Sequence, residues 1–470
     1  MLKKLFSHTA IYGLAPQVTR FASIFALPII TPYLTPLDFG VYGIITAVTG
    51  AISVLGTIGL KVILTNTFFK STHQYKWGWR QIYGFLMVWS IPFSVLTACI
   101  LWFFVPHEAI DNRLEIILIN VIPIIMFGPT SFIGTTLFQL KQIPIQIAVR
   151  SIIFGLMTIF LNIHFIAELK LGYMGWFYST GIATVLNQAS YFIPLNFKYG
   201  LRPIFNFKWR YIRKSLAISL PTVPHYYSAY LLDTSDRLIM KTLNISTADI
   251  GLYNASNTGA NLFRQLGTAA GYAIGPMMNA SYKEGDDVKA RNLVFLLQIS
   301  YFVLTFTVTI WLKEIFHFLL KNKELQTTYP LGIVLIMAYN YRPMYFGSNN
   351  KIFYTEKTKN LLKVTFTAGV LNVVANFILL PVYGYQAAAY TTFFSLMYMG
   401  YAGYFLKVFK QINHINYYPL VWIFATIGLM ISSSYIVEFS PLIKIAITFF
   451  VVIIGAILIG RFSIEQKNNR

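Results

Sequence analysis

Apolar residues run through this chain in long stretches separated by short polar breaks. Many of the stretches are about 20 residues long, the length of a helix that crosses about 30 Å of hydrocarbon. Runs and breaker residues together predict helices over 9–33, 40–60, 81–104, 115–139, 145–167, 172–195, 214–232, 250–281, 292–312, 327–349, 362–381, 384–406, 418–437 and 441–460. The expected fold class is therefore an all-α polytopic membrane protein with about 14 transmembrane helices. Strict alternation over about 10 residues, the mark of a membrane barrel, is not the pattern here. The connections are too short to hold a water-soluble catalytic domain.

Composition agrees with the pattern. Of 470 residues, 56% are hydrophobic and 11% charged, against about 25% charged in soluble proteins. The single cysteine, Cys99, lies in an apolar run and is expected to pack in the core. The opening Met-Leu-Lys-Lys-Leu-Phe has the charge of a signal peptide. No small-residue cleavage site follows, so it reads as the start of a retained first helix. A net charge of +21 would suggest nucleic acid in a soluble protein. Here it sorts by side of the membrane. With both termini cytoplasmic, 26 of the 37 Lys and Arg residues fall in cytoplasmic segments, 8 in outer segments and 3 within spans. That asymmetry sets the orientation and favours an even number of spans.

The chain also repeats itself. Asp38-Phe-Gly40-Val-Tyr42 recurs 211 residues later as Asp249-Ile-Gly251-Leu-Tyr253, and Leu55-Gly56-Thr57 recurs as Leu266-Gly267-Thr268. Six helices separate the copies, so both enter the membrane from the same side and the halves are parallel repeats. The expected organisation is an N-terminal lobe of helices 1–6 (residues 1–197), a basic cytoplasmic linker (198–214), a C-terminal lobe of helices 7–12 (215–410), and helices 13–14 with a tail (411–470).

The three cations within spans are Arg20, Arg264 and Arg342. A central arginine costs at least about 2.5–3.5 kcal/mol facing lipid, so each needs a partner or water. Asn254, Asn257, Asn261, Arg264 and Thr268 share one helix face by their steps of 3 and 4 residues. Gly13, Gln17 and Arg20 do the same on the first helix, and Thr46, Gly50, Ser53 and Thr57 hold the repeat-equivalent phase on the second. Such stripes line an aqueous cavity or pack against another polar helix. Arg20 and Arg264 also admit a structural reading, bonded to carbonyls freed by a helix break. Arg342 divides between a cavity role and snorkelling to the interface. Gln17, Arg20, Asn257, Asn261, Arg264 and Arg342 are the candidate substrate-binding residues. Asp233, Asp236 and His225 are the candidates for ion coupling, His225 being either a proton relay or a hydrogen-bonded packing residue. There is no phosphate-binding glycine loop, metal cluster or pair of carboxylates placed for glycosyl chemistry, so neither cofactor nor metal is expected.

The segment LTPLDFGVYGI at the second helix, Pro221 and Pro224 followed by Asp236-Arg237, and GLYNASNTGANLF at the eighth resemble polysaccharide-lipid flippases of the Wzx type. These belong to the multidrug/oligosaccharidyl-lipid/polysaccharide exporter superfamily, and the resemblance spans the whole chain. It implies a non-enzymatic flippase of the bacterial inner membrane. Its cargo would be an undecaprenyl-pyrophosphate-linked glycan, with Arg20 and Arg264 on the pyrophosphate. The lipid bilayer is then the chief partner, a polysaccharide polymerase is a candidate partner, and nucleic acid is not one. A cation-coupled multidrug exporter of the same fold is one alternative, requiring a buried carboxylate in the first lobe. A membrane glycan polymerase or ligase is the other, requiring a long reactive outer loop.

Overall fold

The computed structural model describes residues 19, 22–70, 74–224, 227, 230, 232, 234–356 and 359–468. Secondary structure among them is helical, with no strand. Among the described residues, eight helical stretches are long and apolar enough to cross a membrane. Other helices fall short by length, by polarity or through a break. Large apolar side chains such as Phe25, Phe103 and Leu442 are 71–81% exposed. An outward apolar surface is what a protein solvated by lipid presents. Cys99, expected in the core, is instead exposed on this surface, because in lipid an apolar run need not face inward.

The chain forms two compact units, Met1–Gly251 and Leu252–Arg470. In the first, a described part of the opening helix, α1 (Ala22–Tyr33), precedes α2 (Pro36–Thr57), α3 (Lys61–Lys70), α4 (Tyr75–Phe104), α5 (Arg113–Leu140), α6 (Pro144–Asn162), α7 (Tyr173–Ala189), α8 (Trp209–Ser219) and α9 (Ser235–Thr242). Helix α10 (Thr247–Lys283) begins in the first unit and continues into the second. The second unit adds α11 (Asp287–Ile310), α12 (Leu312–Leu319), α13 (Tyr329–Ala338), α14 (Tyr341–Tyr354), α15 (Lys359–Tyr383), α16 (Ala387–Tyr401), α17 (Pro419–Ile436) and α18 (Pro441–Asn468).

The repeated Asp-x-Gly-x-Tyr segment has a physical meaning at both copies. Asp38 closes a capping box at the start of α2, accepting from the Thr35 amide at 2.7 Å and the Thr35 hydroxyl at 2.6 Å. Its other oxygen accepts from the Tyr173 amide at 2.7 Å. At the start of α10, Asp249 accepts from the Ser246 hydroxyl at 2.7 Å, and Ser246 Oγ accepts from the Asp249 amide at 3.1 Å. Such caps satisfy amides that the helix itself leaves orphaned. The glycines serve a different purpose. A Cβ on Gly40 would sit 1.9 Å from the Thr247 carbonyl oxygen, and one on Gly251 would sit 1.7 Å from that of Pro36. The two helix starts therefore cross backbone to backbone, each glycine admitting the other copy's carbonyl.

The basic segment after α7 is packed against α4. The Ile204 amide donates to the Arg80 carbonyl at 3.0 Å. Arg80 Nε donates to the Arg202 carbonyl at 2.8 Å, and the Lys208 amide donates to Gln81 Oε1 at 2.6 Å.

Two ion pairs fasten the C-terminal helix pair to the second unit. Lys444 Nζ on α18 is fully buried and lies 2.7 Å from Glu314 Oε1 on α12. Lys313 meets Glu438, in the turn before α18, at 2.5 Å, and the Tyr329 hydroxyl donates to the same carboxylate. The Lys313 hydrogen bond, then that of Tyr329, holds the Glu438 carboxyl below the usual carboxylate range. Its contribution is thus complete above the unfolded value of about 4.3 and fades only as pH falls through the lower folded value. Both members of that pair are about half exposed, so Glu438→Gln should change thermal stability by no more than about 1 kcal/mol. Glu314→Gln strands a buried ammonium and should cost about 2–3 kcal/mol, below the range for fully buried pairs because Glu314 is itself 39% exposed. Equal melting temperatures for the two variants would contradict this ranking.

Candidate functional site

Within the first unit, α2, α4, α5 and α7 enclose a cavity of about 530 Å³. Thr46, Thr49 and Ser53 come from α2, Ser90 and Thr97 from α4, Asn120 from α5, and Thr180 and Gln188 from α7. Tyr42, Phe93, Phe132 and Phe177 supply aromatic surface. Among the described residues that line it, none is charged. The α2 wall carries the small-hydroxyl stripe that the sequence shows. The α7 wall carries a stripe of its own, Thr180, Thr184 and Gln188 at steps of four, and α4 places Ser90 and Thr97 two turns apart, a helical period that the sequence reading passed over.

The long polar face of α10 lies in the second unit from Leu252 onward. Asn257 is buried, while Asn261, Arg264 and Thr268 are half-buried. Thr268 Oγ1 donates to the Arg264 carbonyl at 3.1 Å, engaging the hydroxyl locally. One turn after Arg264 stands Gly267, where a Cβ would meet Arg342 Cγ at 3.1 Å and Cδ at 3.2 Å. The Arg342 stem therefore lies along α10 beside the turn that carries Arg264, and its guanidinium sits 5.3 Å from the Tyr341 ring centroid.

Arg342 reaches this position because the helix breaks just before it. Pro343 has no amide hydrogen and cannot complete the ladder, and α13 gives way to α14 at Tyr339 and Asn340. Asn340 is fully buried. Its carbonyl accepts from Gln298 Nε2 at 3.1 Å, and its Nδ2 donates to Thr305 Oγ1 at 3.0 Å. Backbone groups freed inside a membrane need such partners.

Asp236, a candidate for ion coupling, is buried in the first turn of α9. Gln17, Arg20, His225 and Asp233 lie outside the described residues. A buried polar network between α15 and α16 escaped the sequence reading. Thr391 Oγ1 donates to Asn376 Oδ1 at 2.6 Å, Asn376 Nδ2 to Asn372 Oδ1 at 3.2 Å, and Asn372 Nδ2 to Thr392 Oγ1 at 3.4 Å. Asparagines at i and i+4 were its only signal. Among the described residues no three His, Cys, Asp or Glu side chains gather as a metal site.

A family model described as "Polysaccharide biosynthesis protein" matches residues 5–281. No curated protein sequence matches the chain. Among solved structures, the fold is similar to one titled "Lipid II flippase MurJ, inward closed conformation", with a TM-score of 0.75 and 12% identity, over 96% of this chain and 99% of that one. It is also similar to an inward-facing multidrug resistance MATE family transporter of the MOP superfamily, with a TM-score of 0.61 and 13% identity, over 90% and 95%. A MOP superfamily transporter from Pyrococcus furiosus, titled for the reverse polarity of its binding pocket, gives 0.57 and 12% over 90% and 96%. At these identities the likeness is one of fold, and it is to multi-pass membrane proteins.

Proposed function

The chain belongs to the polysaccharide biosynthesis protein family, and from that premise we propose that it is a flippase, not an enzyme, for an undecaprenyl-pyrophosphate-linked oligosaccharide. It carries this cargo from the cytoplasmic to the outer leaflet of a bacterial inner membrane, in the making of surface polysaccharide such as O-antigen. Both termini are cytoplasmic. Residues 1–197 and 215–410 act as two lobes joined by the basic segment 198–214, and they alternate access between the two sides.

The observation that carries this reading is the meeting of Arg342 with the Arg264 turn at Gly267 on the polar face of α10. Two arginines whose chains meet at one turn of a helix suit a diphosphate, which accepts charge-assisted and bidentate hydrogen bonds. Asn257 and Asn261 extend the same face toward sugars, and Arg20 and Gln17 are assigned to the first lobe's share of the site. Asp236, with Asp233 and His225, is assigned to ion coupling. The multidrug exporter is the less favoured reading, since no carboxylate stands among the described residues that line the cavity of the first unit.

The test is transport by the purified protein in vesicles loaded with a fluorescent undecaprenyl-pyrophosphate oligosaccharide. Outer-leaflet exposure should rise many-fold over protein-free vesicles. Transport of a lipophilic cation without any movement of the lipid-linked glycan would replace this reading with the exporter.

A further inference from the structure

We propose that the cavity of the first unit is a subsite for uncharged sugar residues, which donate hydrogen bonds to its walls. The inference rests on the flippase reading and names the chemical class of one part of the cargo.

Most hydroxyl hydrogens at the cavity wall are already engaged. Six of the eight serine and threonine side chains lining the cavity donate to carbonyls of their own helix. Thr46 reaches Tyr42 O at 2.8 Å, Thr49 reaches Ile45 O at 3.0 Å and Ser53 reaches Gly50 O at 2.7 Å. A hydroxyl has one hydrogen and two lone pairs, so a group bonded in this way offers a ligand acceptors only. Asn120 Nδ2 commits one of its two hydrogens to the Ile116 carbonyl at 2.8 Å, and its side-chain oxygen adds an acceptor.

The walls therefore select against anions. Phosphate and carboxylate groups bring further acceptors, and among the described lining residues they would meet no cation and few free donors. An ammonium would find acceptors, but it would leave water without a counter-charge among the lining residues. Sugars carry many O–H donors on one edge and apolar C–H faces on the other. Tyr42, Phe93, Phe132 and Phe177 provide the apolar side, and the volume falls in the range of small-molecule sites.

The experiment uses the full chain in lipid nanodiscs and saturation-transfer NMR with three probes, maltotriose, chitotriose and trigalacturonate. At least one neutral trisaccharide should receive transfer, and trigalacturonate should not. Thr46→Val with Thr49→Val should weaken the neutral probe's binding by about tenfold. Thr46→Ser with Thr49→Ser should preserve it, as should Thr65→Val on α3, outside the cavity. Silence from both neutral probes, equal response to the acidic one, or undiminished binding in the valine variant overturns the proposal. The comparison of probes on the wild-type protein stands even if the valine variant does not fold. A protein that flips lipid-linked glycan yet fails these tests loses this inference alone. One that binds the sugars but moves no lipid-linked glycan loses the flippase reading.

Discussion

Replacing Gly251 by alanine should leave little folded protein in the membrane. The new methyl carbon would stand 1.7 Å from the Pro36 carbonyl oxygen and 2.8 Å from the Gly40 amide nitrogen. Both are backbone atoms in helix α2, so no side-chain rotation relieves the overlap. Separating the crossing helices disturbs the capped starts of both. Overpacking typically costs about 1–3 kcal/mol, and more where neighbours cannot move, out of a total stability of about 5–15 kcal/mol. Gly40→Ala should behave alike, facing Thr247 at 1.9 Å. The control lies on the same helix. Gly275 has nothing within 4 Å of its missing Cβ, and Gly275→Ala should stabilise α10 by up to about 1 kcal/mol. Expression level and thermal melting of the detergent-purified variants measure the contrast. If Gly251→Ala accumulates and melts like Gly275→Ala, the close crossing is not how the protein is built.

Arg264→Ala should insert and fold normally yet lose about tenfold or more of its transport. The side chain is half-buried on the polar face of α10, so its removal leaves the caps, the glycine crossing and the ion pairs untouched. A charge-assisted hydrogen bond contributes about 1.5–3 kcal/mol, and about 1.4 kcal/mol is tenfold in affinity. Arg264→Lys keeps the charge but not the planar fork that matches phosphate oxygens, and should fall between alanine and wild type. Vesicle transport at low substrate separates the three. Wild-type transport by Arg264→Ala at equal protein level would remove Arg264 from the site.

The sequence disclosed the helical, membrane-spanning character because long apolar runs have few other folded solutions. It disclosed the Asp38/Asp249 and Gly40/Gly251 repeat as a pattern but not as caps and a crossing. Those meanings depend on which backbone atoms meet, and spacing carries no such information. The α2 wall of the cavity was visible as a stripe, since Thr46, Gly50, Ser53 and Thr57 keep helical phase. Thr180, Thr184 and Gln188 also keep helical phase on α7, but only the fold brings that stripe together with the α2 stripe and with Ser90, Thr97 and Asn120. Lys444 and Glu314 are 130 residues apart, and nothing local to either announces the pair. Fourteen spans is a reading of hydropathy. The break at Asn340 and the polar length of α10 show why some membrane helices escape any test of length and apolarity.

Basic stretches between helical domains are the usual first targets of trypsin, and residues 198–214 offer five cleavage points, Lys198, Lys208, Arg210, Arg213 and Lys214, Arg202 being protected by the proline that follows it. A protease must draw out several residues of extended backbone to cut. Here the main chain at Arg202, Ile204 and Lys208 is already held by Arg80 and Gln81, and a Cβ at Gly84 would collide with the Ile204 carbonyl at 1.9 Å. Digestion of the native protein should therefore spare the part of this stretch bound to α4, and a two-piece version made by nicking there would first have to pry it loose.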